Sequence, residues 1–191
     1  MPRGDVNRYL IATAILGLTA LTACSNMVMV TDPVTNPNYV KNEELYAARN
    51  GSIRVEVMGD TFGMAPEAFA DLVVNEMRAS YYRHDFFTRQ ASRATDPRYK
   101  VVMMFNADPA WSGYDLCAAS QPISPAPRQA GQRSVLLAVF CGGSTPLSEN
   151  SGRVVLAGAQ DPNFAKLVDQ VTETLFTKTD NRDTSRGGPG I

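Results

Sequence analysis

The chain has 191 residues, with 18 basic and 19 acidic side chains, a formal net charge of −1, three cysteines and one histidine. That length suits one domain with a real core and is short for two. The near balance of charge argues against a polyanion partner, so no nucleic acid is expected to bind.

Arg3 and Arg8, set against Asp5, precede an uncharged run from Tyr9 to Leu21 that contains Leu10, Ile11, Ile15, Leu16 and Leu18. A basic start followed by an apolar run is the pattern of a signal peptide. The run is thirteen residues long, well short of the ~20 needed to span hydrocarbon. It closes with Leu21-Thr22-Ala23-Cys24, an aliphatic residue, two small residues and a cysteine.

Over residues 1–24 the chain resembles the precursors of bacterial lipoproteins, whose lipobox has this composition. The resemblance implies diacylglycerol on the Cys24 thiol, cleavage before Cys24 and acylation of the new amino group. Fatty acyl chains such as palmitate would then hold the product in the lipid bilayer. Ser25 stands where the inner-membrane retention signal would have Asp, which implies the periplasmic face of the outer membrane. An ordinary secretory signal and an uncut signal anchor are the competing readings.

Removal of residues 1–23 would leave 168 residues with 16 basic and 18 acidic side chains, a net of −2. With Cys24 spent on lipid, Cys117 and Cys141 remain, and an oxidising periplasm favours a disulfide between them. Such a bond closes a loop of about 25 residues and stabilises by roughly 3.5 kcal/mol in the chain-entropy model. Two unpaired thiols, one of them buried as a small apolar side chain, are the alternative.

Residues 24–50 read as a flexible tether, because Asp32-Pro33 and Asn36-Pro37-Asn38 favour turns and extended backbone. Glu43 to Arg49 has a weak helical tendency. A single domain is expected over 51–178, followed by a disordered, polar, Gly-rich tail over 179–191. Ile53 to Met58 alternates apolar and charged residues and predicts a strand. Phe69, Leu72, Val73, Met77 and Tyr81 recur at helical spacing and predict a helix from Pro66 to Arg83.

Arg98 to Asn106 and Val135 to Phe140 are nearly unbroken apolar runs and predict central strands. A loop is expected from Gly142 to Gly152 on composition, and a fourth strand from Arg153 to Ala159. Asp161 can cap a last helix with Pro162 at its first position and Phe164, Leu167, Val168, Val171 and Leu175 on one face. The order strand, helix, three strands, helix predicts an α+β two-layer sandwich with a roughly four-stranded, mainly antiparallel sheet.

The connection from Ala107 to Arg133 is the most unusual feature of the domain, since connections above ~15 residues without regular structure are often functional. It holds Trp111, the only tryptophan, together with Tyr114 and Cys117. Trp111 and Tyr114 are candidate anchors for a partner or a sugar. The other reading makes Trp111 a plug at the end of the core. For the disulfide to form, the loop must fold back to lie flat over the sheet or along its edge, which would cover a face that the two helices leave open.

Signs of catalysis are sparse. His84 is the sole histidine and sits where a helix end or turn is expected. No metal site follows from it by the usual spacings, and neither a G-x-S-x-G elbow nor an S-x-x-K pair is present. Gly142-Gly143-Ser144-Thr145 lacks the spacing and lysine of a phosphate loop and reads as a hairpin connection. No cofactor is expected. These features predict a non-enzymatic, lipid-anchored envelope module that binds an envelope protein or peptidoglycan. An envelope hydrolase using a serine and His84, and a purely structural lipoprotein, are the alternatives.

Overall fold

The computed structural model describes residues 27–49, 51–81, 83–119, 125 and 132–176. The signal segment, Cys24 and the expected tail 179–191 lie outside the described residues. The elements are β1 (Met29–Val30), β2 (Val34–Thr35), α1 (Glu43–Ala47), β3 (Ile53–Gly59), α2 (Pro66–Ser80), β4 (Phe87–Thr88), β5 (Tyr99–Phe105), α3 (Gly113–Ala118), β6 (Arg133–Gly142), β7 (Thr145–Val155) and α4 (Pro162–Leu175). A short 3-10 turn, Ala91–Arg93, lies between β4 and β5.

The four-stranded, mainly antiparallel two-layer sandwich is not what the chain builds. Its strands form one seven-stranded mixed sheet in the order β1-β7-β6-β5-β3-β4, with β2 also on β7. β3 runs parallel to both β5 and β4, whereas β5, β6 and β7 are antiparallel neighbours. The parallel pairing follows from the crossover between β3 and β5, which passes through α2 and so returns the chain in the same direction. Three of the strands, β1, β2 and β4, have two residues each and are too short to show any period.

The second correction concerns β7. Ser148, Glu149, Asn150, Ser151 and Gly152 belong to an eleven-residue strand and not to a loop. Their polarity is answered from α4: buried Ser148 Oγ donates to the Leu175 carbonyl at 2.6 Å, and buried Asn150 Nδ2 donates to the Val171 carbonyl at 3.0 Å. A Cβ on Gly152 would lie 2.5 Å from the side chains of both Leu167 and Val171, so the glycine lets the helix close on the strand. β6 and β7 are joined by Gly143-Ser144, with Gly143 at φ 63°, the sign a type II′ hairpin needs at its first central position.

A third difference lies in the stretch expected as a tether. Residues 29–35 run along β7, with Met29 opposite Arg153 and Val34 opposite Glu149. The prolines and asparagines do make the expected turn, closed by the Asn38 amide donating to Asn36 Oδ1 at 2.9 Å. The turn delivers Tyr39 into the core at 1% exposure, where its hydroxyl donates to Glu44 Oε2 at 3.0 Å. Burial, with Glu44 beside it, pushes the Tyr39 phenol well above its ordinary range and keeps it a neutral donor.

The main core lies between one sheet face and α2 with α4. Phe69 of α2, Phe105 of β5 and Phe164 of α4 meet with ring centroids 5.0–5.8 Å apart. The expected α4 face, Phe164, Leu167, Val168, Val171 and Leu175, is buried throughout, and Asp161 caps the helix by accepting from the Asn163 amide. On the opposite sheet face Val102, Met104, Val139 and Cys141 form a smaller cluster with Leu116 and Cys117 of α3.

Candidate functional site

The long connection after β5 is tied down by α3. Asp108 opens a turn, accepting from the Ala110 amide through its carboxylate and from the Trp111 amide through its carbonyl. Ser112 then caps the helix. Its amide and hydroxyl both donate to Asp115 Oδ2, at 2.8 and 2.6 Å, while its Oγ accepts from the Asp115 amide at 3.4 Å. This reciprocal box satisfies amides that the first turn would leave unpaired. The two donors from Ser112 hold the Asp115 carboxyl below the usual carboxylate range.

Three contacts seat α3 on the second face of the sheet. Leu116 is fully buried against the sheet, and Cys117 forms a disulfide with Cys141 of β6, with Cα atoms 5.6 Å apart. Gly113 is the third, because a Cβ there would collide with the Glu149 carboxylate and press on Pro146 of β7. The disulfide expected from cysteine parity is therefore present, and α3 covers part of the face that α2 and α4 leave open.

Above this seat Tyr114 is 59% exposed and Trp111 is 37% exposed. Trp111 belongs to neither buried cluster, so it does not plug the core. Tyr114 borders a groove of about 250 Å³ that is also lined by Val34, Asn36, Pro37, Pro146 and Glu149. Val34 is itself 67% exposed. The groove is thus an apolar trough with a tyrosine on its rim and one carboxylate within reach.

Trp111 and Tyr114 were legible as candidates from the sequence, but only Tyr114 lines the groove. The walls were not legible. Val34 and Pro37 sat in a stretch that reads as a linker, and Pro146 and Glu149 in one that reads as a loop. Their contribution depends on both segments joining the sheet edge.

His84 is exposed, in the turn before β4. Among the described residues no three His, Cys, Asp or Glu side chains lie close enough to hold a metal ion. None of the helices among the described residues is long and apolar enough to cross a membrane.

No family model matches the chain, and no curated protein matches it either. Among solved structures it is similar to the PelC dodecamer from Paraburkholderia phytofirmans in space group P6, at 13% identity and a TM-score of 0.43. A point variant of that dodecamer in space group C2 gives 12% identity and the same TM-score. Both alignments cover 80% of this chain and 100% of the other. A likeness of that size says nothing about the role of this chain.

Proposed function

We propose that the chain is the precursor of a bacterial lipoprotein whose domain is held to the envelope by lipidated Cys24 and binds an envelope protein or peptidoglycan through the Tyr114 groove. One observation supports the anchor above the rest. The disulfide occupies Cys117 and Cys141, so Cys24 is the only cysteine left over. A structural disulfide is characteristic of an exported protein, and an exported chain with a lone cysteine just after an apolar leader is suited to lipid attachment there. Two or more acyl chains on that residue would give stable attachment.

The folding of residues 29–35 onto β7 changes how such an anchor would act. Met29 follows Cys24 by only five positions, a reach of at most ~17 Å at ~3.4 Å per step. The domain would ride close to the bilayer, with the sheet edge formed by β1 and β2 nearest the anchor. The Tyr114 groove opens beside that same edge.

Binding in the groove is supported by its composition. Tyrosine supplies a large, rigid apolar face with a polar tip, a common anchor in recognition surfaces. The disulfide and the capping box hold that face in place, which lowers the ordering cost of binding. The test is photo-crosslinking in cells, with a benzophenone amino acid replacing Tyr114 in one strain and exposed Gln170 of α4 in another. Adducts specific to position 114 and lost on Val34→Asp are expected. Equal labelling from both positions, or none from 114, would remove the groove from the account.

A further inference from the structure

A second cleft lies on the other side of the molecule, between α2 and the segment from β4 to the 3-10 turn, and we propose that it binds an oxyanion carried by a soluble or cell-wall ligand. The cleft has a volume of about 500 Å³. Its floor is Val74, 2% exposed, and its walls carry Arg78, Arg89 and Arg93 with Asn75 and Gln90.

The three arginines are not equivalent. Arg89 is neutralised: its Nη1 lies 2.7 Å from Asp71 Oδ1 and its Nη2 3.6 Å from Glu67 Oε2. That pairing also uses up Asp71, the only carboxylate lining the cleft. Arg78 is half-buried and aimed by its Nε, which donates to the Phe87 carbonyl at 2.9 Å, and by Nη1, which donates to Asn75 Oδ1 at 3.4 Å. It has no carboxylate partner among the described residues. Arg93 likewise has no ion pair among them, and it is exposed at the end of the 3-10 turn.

Two uncompensated guanidiniums in one polar cleft, one of them held in place by backbone, form a receptor for an oxyanion. The guanidinium fork matches carboxylate and phosphate alike. The amide groups of Asn75 and Gln90 add donors and acceptors for hydroxyl or amide groups around the anion, and the volume exceeds what a bare ion fills. The cleft adjoins β4, at the edge of the sheet opposite β1, some five strand spacings or ~24 Å away. On the reading of Cys24 as the anchor, the cleft therefore points away from the bilayer, which favours a ligand in the periplasmic space over a lipid headgroup.

The experiment is calorimetric titration of the full chain in detergent with inorganic phosphate, with glucuronate and, separately, with vesicles of an anionic phospholipid. Saturable binding of phosphate or glucuronate is expected, weakened at least about tenfold by Arg93→Gln, since a charge-assisted hydrogen bond is lost. The preferred anion then identifies the ligand as tetrahedral or planar. Arg93 makes no side-chain bond among the described residues, so this variant should melt like the parent, and Arg78→Lys gives an independent check on the oriented fork. No saturable binding by ~10 mM of either small anion, binding unchanged in both variants, or binding to vesicles alone would overturn the proposal. The phosphate and glucuronate outcomes do not depend on whether Cys24 carries lipid, and vesicle uptake that Arg93→Gln leaves unchanged reports the anchor and not the cleft.

Discussion

Ser148 and Asn150 carry the most unusual local chemistry of the fold. Both are buried in a strand, and both donate to backbone carbonyls of α4, at Leu175 and Val171. Buried polar groups are tolerated when bonded and costly when not. Asn150 Oδ1 has no hydrogen-bond partner among the described residues, which leaves Nδ2 as the productive end of that side chain. Replacing Ser148 by Ala removes the donor to the Leu175 carbonyl near the end of α4, where carbonyls lack partners within the helix. Ser148→Ala is expected to cost about 1–2 kcal/mol in urea denaturation, with the fold intact; no change would mean that the bond does not form. These two residues also show why sequence reading failed locally. A run of Ser, Glu, Asn, Ser and Gly has loop composition, and only the neighbouring helix turns it into a strand.

At the scale of elements, α2 and α4 were legible because fourteen or fifteen residues of helix show their period, and each starts on a proline. β3, β5 and β6 were legible as strands, but their pairing was not. Alternation marks a strand and says nothing of its neighbour's direction, and the parallel pairing of β3 with β5 comes from the α2 crossover. α3 was missed because six residues show too little period, although Ser112 followed by Asp115 is a capping signal in the sequence. The Cys117–Cys141 disulfide, by contrast, was legible once Cys24 was set aside for lipid and the other two cysteines were left as a pair in an exported chain. The double variant Cys117→Ser, Cys141→Ser is expected to lose up to about 3.5 kcal/mol of stability in urea. It should also raise the hydrogen exchange of the α3 amides more than that of β5. Equal stability with and without reductant in the parent would show that α3 is held by packing alone.

For the whole molecule, the largest departure from the sequence reading is that residues 27–49 are part of the domain. Prolines and asparagines correctly marked turns there, but turns between short edge strands look the same in sequence as turns in a linker. The consequence is measurable. The amides of Thr31 and Asn36, which donate to the Ser151 and Leu147 carbonyls at 2.8 Å each, should exchange with solvent far more slowly than in a free chain. Exchange at the unprotected rate would restore the flexible tether. With the segment folded, the molecule has two distinct ends. One is the β1 and β2 edge, beside the Tyr114 groove and a few residues from Cys24, and the other is the arginine cleft beside β4.

The proposed anchor at Cys24 would give these two ends their orientation, so most depends on it. Intact-mass spectrometry of the protein extracted from membranes, without reduction, reads it directly. The expected species is a chain beginning at an acylated Cys24, with no thiol open to alkylation because Cys117 and Cys141 are joined. A chain that still carries residues 1–23, or one cut elsewhere with Cys24 free, would contradict it.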